Sequence, residues 1–200
     1  FALPLFVCLL ALAVIGVAGA AAPSAVTDVN PASSNAVPFG GRVEALSVSP
    51  VDAQDVYAAS ELGGIFHSTD GGHHWSHVDD VSMFATRDVA FAPSDASLII
   101  ASGSYDGRVT SRGGIWRSTD GGVTWRQIFQ TIAPADTFGD RTEVSAVNAG
   151  GGKTRIYLGD ASDDLAIATV WRTNDAASIA GSATAGYNNA GWTELSSSAN

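Results

Sequence analysis

Thirteen residues at 63–75, GGIFHSTDGGHHW, return at 113–125 as GGIWRSTDGGVTW, with nine positions identical and an offset of 50 throughout. A fixed period of this size marks a repeat architecture, in which a small unit that cannot bury its own apolar face stacks on copies of itself. Each copy reads as strand, turn, strand. Ile65 and Phe66 lead in, Ser-Thr-Asp-Gly-Gly makes the turn, and Trp75 opens the return. The turn chemistry accounts for the spacing without an active site. Asp70 and Asp120 can fold their carboxylates onto turn N–H groups, Gly72 and Gly122 can take positive φ at no steric cost, and Trp75 and Trp125 can cover the turn with an apolar face. Together with Ser68 and Ser118, and with Asp175 and Trp192 of a worn third copy, these residues are expected to be structural.

The pattern Ser-x-Asp-x-Gly-x-x-Trp, complete at 68–75 and 118–125, resembles the Asp-box, or BNR, repeat of sialidases, xyloglucan-hydrolysing glycosidases, sortilin-type receptors and photosystem assembly factors. All of these are β-propellers. The resemblance implies an all-β chain with the box on an outer turn of each blade, and it leaves activity open, because the same box serves enzymes and non-enzymes. Catalytic residues do not carry over. The sialidases have an Arg-Ile-Pro signature before the first blade, where this chain has Phe39-Gly40-Gly41-Arg42-Val43. The xyloglucan-active enzymes have an aspartate motif at the start of blade one, where Glu44 stands here.

Short apolar runs in a regular order define the blades. Residues 43–48, 55–59, 64–68 and 75–78 read as four antiparallel strands of a first blade, and 88–92, 98–101, 115–118 and 125–129 repeat the order. A third, worn blade follows at 143–147, 155–158, 170–173 and 192–195. Its Val170-Trp171-Arg172-Thr173-Asn174-Asp175 echoes 115–120, but Asp175 and Trp192 stand 17 residues apart where the earlier boxes have 5. A twelve-residue Ala/Ser/Gly-rich insertion therefore enters that turn, and Asn189 replaces the box glycine. Phe66, Trp116 and Trp171 each follow an aliphatic residue in a third strand, so that strand is expected to be covered on both faces. The expected fold is a partial β-propeller of about three four-stranded antiparallel blades at 40–200, a fragment of a larger ring, since propellers close with about four to eight blades.

Residues 5–17 are uninterruptedly apolar and run into Ala-Gly-Ala and Ala-Ala-Ala, small-x-small sites of the kind signal peptidase cuts. Residues 1–22 thus read as a signal peptide, and an uncleaved anchor is the alternative because the stretch is just long enough to span. A polar, Pro-containing linker follows at 23–39. Cys8, the lone cysteine, falls in the segment expected to be removed, leaving no disulfide and no thiolate site. A secreted protein, extracellular or periplasmic and without stable membrane insertion after cleavage, is expected. The formal charge of -10, from 20 acidic and 10 basic residues, excludes nucleic acid as the main partner.

Strand alternation places the box turns on one edge of the blades and the connections between second and third strands, and between blades, on the other. That loop face is where lengths vary, and long loops on a rigid scaffold are where binding concentrates. Its candidates are Tyr105, Asp106, Arg108 and Arg112 in one loop, Asp140 and Arg141 with Glu143 in a second, and Asp160, Asp163 and Asp164 in a third. Carboxylates facing arginines suit a carbohydrate or a protein ligand, and two spaced acids suit hydrolysis of a glycosidic bond. Binding through this face is the expected function. An exo-acting glycoside hydrolase, sialidase-like or xyloglucanase-like, with its remaining catalytic groups elsewhere, is the alternative. No cofactor is expected. The four histidines, His67, His73, His74 and His77, crowd the first hairpin, but their counterparts at 117, 123, 124 and 127 are Arg, Val, Thr and Gln. They are therefore read as exposed edge residues and no metal is expected.

Overall fold

A computed structural model describes residues 41–78, 85–103, 113–131, 141–161, 168–184 and 186–197. The segments read as signal peptide and linker lie outside them, and among the described residues no helix is long and apolar enough to cross a membrane. The described residues form twelve strands in three four-stranded antiparallel sheets. The first sheet holds β1 (Val43–Val48), β2 (Val56–Ser60), β3 (Gly64–Ser68) and β4 (Ser76–His77). The second holds β5 (Thr86–Ala92), β6 (Asp95–Gly103), β7 (Gly114–Ser118) and β8 (Arg126–Gln130). The third holds β9 (Arg141–Gly150), β10 (Lys153–Ala161), β11 (Ala168–Thr173) and β12 (Thr193–Ser197). Within each sheet, strands adjacent in sequence are adjacent in space. The sheets are successive blades of a partial propeller, with β1 packed on β5 and β5 on β9 along the inner edge.

Two cores hold the blades together, and period-two alternation divides the side chains between them. Ile99 and Ala101 of β6, with Trp116 of β7, enter the core between blades one and two, where they meet Tyr57, Ile65, Phe91 and Trp125. Leu98 and Ile100, with Ile115, enter the core between blades two and three beside Ile156 and Leu158. A bulge on β8, where Ile115 pairs with Phe129 and Trp116 with Gln127, sends both Ile128 and Phe129 into this second core. Each of the buried isoleucine, leucine and phenylalanine side chains among these stabilises the fold by about 1.5–3 kcal/mol relative to exposure.

β7 is buried on both faces, as the paired apolar residues in it predict. Its counterparts differ: Phe66 in β3 and Trp171 in β11 are only half-buried. The reason is geometric. Blade two has a neighbour on each side, whereas blades one and three have one each among the described residues. Leu46, Val48 and Val51 of blade one remain exposed accordingly.

Hydrophilic contacts fix the rotation between blades. Thr86, fully buried at the start of β5, directs its single hydroxyl proton between the carbonyls of Ser60 and Gly64, each 2.7 Å away. Thr142 at the start of β9 makes the matching bond to Gly103, and Ser102 donates to the Thr142 carbonyl at 3.0 Å. On the opposite edge, the Tyr57 hydroxyl donates to the Gly121 carbonyl in the turn of blade two.

Candidate ligand face

Antiparallel pairing puts the β2–β3, β6–β7 and β10–β11 connections, and the links from blade to blade, on a single edge. These three connections span residues 61–63, 104–113 and 162–167, so the rim differs from blade to blade while the sheets do not. Tyr105, Asp106, Arg108, Arg112, Asp140, Asp163 and Asp164 lie outside the described residues. Three candidates belong to strands rather than loops, Glu143 of β9 among them. Arg141 is the first residue of β9, and Asp160 is in β10, buried between its partners Thr142 and Thr169. The ladder continues to the pair Ala161 and Ala168, so the loop begins two residues later than the apolar pattern alone indicates.

The described part of this edge is a row of charges at the inner-strand ends. Glu44 accepts from Arg42 Nε at 2.7 Å and from Arg87 at 3.3 Å, and Arg42 also reaches Glu61 at 3.5 Å. A carboxylate held by two guanidinium groups is not a free base, so Glu44 is better suited to orienting the arginines than to proton transfer. Asp88 stands beside this group on β5 and accepts from the Val144 N–H of the next blade at 3.3 Å. Burial raises its pKa, the N–H groups of Val144 and Val89 act against the rise, and the nearby Glu143 adds to it. The sequence reading missed Arg87 and Asp88. Their signal is a charged pair placed immediately before the apolar alternation of β5, parallel to Arg42 and Glu44 before that of β1.

The turns on the other edge consume their own polar groups. Asp120 accepts from Ser118 Oγ at 2.7 Å and the Thr124 N–H at 2.9 Å through one oxygen, and from Thr124 Oγ1 at 2.6 Å through the other. Ser118 Oγ in turn accepts from the Gly122 N–H at 2.8 Å. Burial resists ionisation of Asp120, but the bonds from Thr124, Ser118 and Val123 outweigh it and hold the pKa at about 2. Asp70 repeats the arrangement with Ser68 and with the His74 N–H at 2.9 Å, and His74 Nδ1 lies 2.6 Å from its second oxygen. The indole N–H groups of Trp75 and Trp125 donate to the Gly72 and Gly122 carbonyls at 2.8 and 3.0 Å.

Among the described residues no three His, Cys, Asp or Glu side chains gather as a metal site. His77 Nε2 lies 3.0 Å from the Gly63 carbonyl, and its counterpart Gln127 makes the equivalent bond to Gly113 at 3.2 Å. His67 departs from the expectation of an exposed edge residue: it is half-buried, paired with Asp55 at 2.7 Å and stacked on Tyr57 with ring centres 4.2 Å apart. It occupies the register position of Arg117.

The third turn is built differently. Asn189 takes the left-handed conformation of the glycine it replaces, with φ of 58°. The indole of Trp192 donates across the blade boundary to the Ile128 carbonyl at 2.6 Å instead of to its own turn. Arg117 of blade two, almost wholly buried, donates through one terminal nitrogen to the carbonyls of Ala176, Ala177 and Ile179 at 2.6–3.0 Å. Burial and the neighbouring Arg126 push its pKa down. Ser182 adds a two-bond bridge to Gln127, so the insertion is pinned to blade two along its length.

No protein-family model matches the chain, and no curated protein matches it. Solved structures that resemble it include a GH74 enzyme from Niastella koreensis, with a TM-score of 0.49 and 22% identity over 77% of this chain and 22% of that one. A GH74 xyloglucanase from Xanthomonas campestris scores 0.47 at 20% identity, over 64% of this chain and 20% of that one. YCF48 from Cyanidioschyzon merolae scores 0.47 at 16% identity, over 80% of this chain and 38% of that one. The chain thus spans about a fifth of the length of the two GH74 proteins. These likenesses concern fold alone, and the blade arrangement described above rests on the strand pairing and the two inter-blade cores.

Proposed function

We propose that the chain is part of an exported Asp-box propeller that binds a carbohydrate or protein ligand through its loop face. The observation that carries this reading is the contrast between the two edges. On the turn edge Asp70 and Asp120 are satisfied by donors of their own turns, which is what a structural motif requires. On the loop edge arginines and carboxylates line the inner-strand ends, beside connections whose length differs in every blade. Fixed charges on a rigid sheet with variable loops around them suit recognition of a polar ligand.

A second reading, an exo-acting glycoside hydrolase, draws on Asp88. A carboxyl whose protonated form is favoured by burial and by a neighbouring Glu143 has the character of a general acid. It requires a second carboxyl at a suitable separation. The test uses glycan-array and pull-down binding by the protein and by its Asp106→Ala/Arg108→Ala variant. Binding weakened at least about tenfold, a loss of roughly 1.4 kcal/mol, with unchanged thermal stability is the expected result. Unchanged binding overturns the assignment to that loop, and release of reducing sugar that is lost in Asp88→Asn favours the hydrolase.

A further inference from the structure

The inserted segment of blade three does more than lengthen a turn. It folds back against the end of β11 and leaves an open cavity of about 430 Å³, bordered by Asn174, Asp175, Ser178, Ile179 and Tyr187. This volume lies within the range of small-molecule sites, about 300–1,000 Å³. One wall is held rigidly, because Arg117, Gln127 and Gln130 of blade two bond the insertion at Ala176, Ile179, Ser182, Gly186 and Asn189. Buried Ala176 and Ile179 anchor it in the second core.

The polar groups bordering the cavity differ from those of the first two turns in one respect: each keeps hydrogen-bonding capacity to spare. Asp70 and Asp120 accept from the residue four positions on. The insertion displaces that residue, and the only contact of the Asp175 carboxylate among the described residues is Lys153 Nζ at 3.7 Å. Asn174 Oδ1 takes the Arg155 Nε–H at 2.9 Å, which leaves the amide NH₂ as a donor. The Tyr187 hydroxyl donates to the Ala190 carbonyl at 2.8 Å, which leaves its oxygen as an acceptor and fixes the ring.

A carboxylate, an amide donor, a hydroxyl acceptor and an aromatic ring around one cavity are complementary to a ring that carries hydroxyl groups on its rim and C–H groups on its face. Charge narrows the class further. Lys153 beside Asp175 and Arg155 beside Asn174 disfavour a cationic ligand, and the Asp175 carboxylate disfavours an anionic one. We propose that this cavity binds a neutral saccharide unit, with Asp175 and Asn174 bonding its hydroxyl groups and Tyr187 packing on its face. The site lies on the turn edge, opposite the loop face, and stands independently of the function proposed for that face.

The probes are the methyl glycosides of glucose, galactose and xylose, titrated against the full chain by saturation-transfer NMR and calorimetry. The expected result is saturable binding of at least one of them with Kd on the order of 1 mM. It should weaken at least about tenfold in Asp175→Asn, which preserves side-chain shape, and in Tyr187→Leu. The binding is read at the backbone amides of Ala190 and Gly191, which line the cavity, and the shifts of these two amides should persist in the Asp106→Ala/Arg108→Ala variant, which separates this site from any glycoside bound on the loop face. Failure of all three glycosides to bind saturably overturns the proposal. So do Ala190 and Gly191 amide shifts that survive both cavity substitutions, or a cavity that takes methylammonium in preference to any glycoside.

Discussion

Gly121 and Gly122 provide a controlled test of how the repeated turn joins the blades. They are adjacent, both have positive φ, at 69° and 87°, and in both an added Cβ meets the left-handed backbone penalty of about 1–2 kcal/mol. Their surroundings differ. A Cβ on Gly121 would have nothing within 4 Å, whereas one on Gly122 would overlap the Tyr57 hydroxyl oxygen and stand 2.9 Å from Cζ. Tyr57 has nowhere to go. It is 1% exposed, stacked on His67, and edged by Phe91 and Trp125 at 5.5 and 6.4 Å. Displacing it overpacks the core, at about 1–3 kcal/mol, and breaks its bond to the Gly121 carbonyl, about 1 kcal/mol more.

Gly121→Ala is therefore expected to destabilise by about 1–2 kcal/mol, and Gly122→Ala by at least about 2 kcal/mol beyond that. Urea unfolding followed by tryptophan fluorescence measures both, compared at constant m. Tyr57→Phe removes the atom that the new Cβ meets. The double variant Tyr57→Phe/Gly122→Ala should be more stable than the two single effects summed, by about 1 kcal/mol. Equal losses for the two glycine variants, or strict additivity with Tyr57→Phe, would refute the claim that this turn is fitted to blade one.

Acid should weaken the turns. The folded pKa of Asp120, about 2, lies below the unfolded value of about 3.9. Its contribution is thus present above about pH 4 and lost as pH falls toward 2, and the gap in Tm between the protein and Asp120→Ala should narrow across that interval. Arg117→Met leaves three carbonyls of the insertion without their donor; a loss of about 2–4 kcal/mol is expected, with proteolysis appearing first within residues 176–188. For export, the mature amino terminus should be Ala21 or Pro23, and terminal sequencing that finds residues 1–22 intact refutes the signal-peptide reading.

Strand order and blade number were legible because both arise from local pattern. Alternation in Leu98 to Ala101 assigns each residue to one of two cores, and the Ser-Thr-Asp-Gly-Gly turn marks where a third strand ends. What escaped is long-range. Arg87 bonds Glu44 and Asp88 receives the Val144 N–H, contacts made only once neighbouring blades are stacked, so the charged pair before β5 marks the two residues while nothing in either segment names their partners. His67 was misread for the same kind of reason: its burial comes from Tyr57 and Asp55 on the adjacent strand, and its own neighbours in sequence are silent about it. Asp160 was placed in a loop because polar residues follow it, but the partners Thr142 and Thr169 extend the ladder past that point.

The unequal fates of the three equivalent aspartates follow from one physical constraint. A carboxylate that closes a five-residue turn must accept from the N–H groups of that turn, as Asp70 and Asp120 do, and an acceptor so engaged has little left to offer a ligand. Inserting residues between the aspartate and the tryptophan removes those donors. The turn would lose its closure unless other bonds replaced them, and blade two supplies the replacements: Arg117 on the 176–179 carbonyls, Gln127 on Ser182 and Gly186, and Gln130 on Asn189. His67, at the position of Arg117 in blade one, is paired with Asp55 instead. The freed carboxylate of Asp175 thus depends on an arginine 58 residues earlier in the chain. Losing Arg117 should therefore loosen the cavity beside Asp175 while leaving the two complete turns intact.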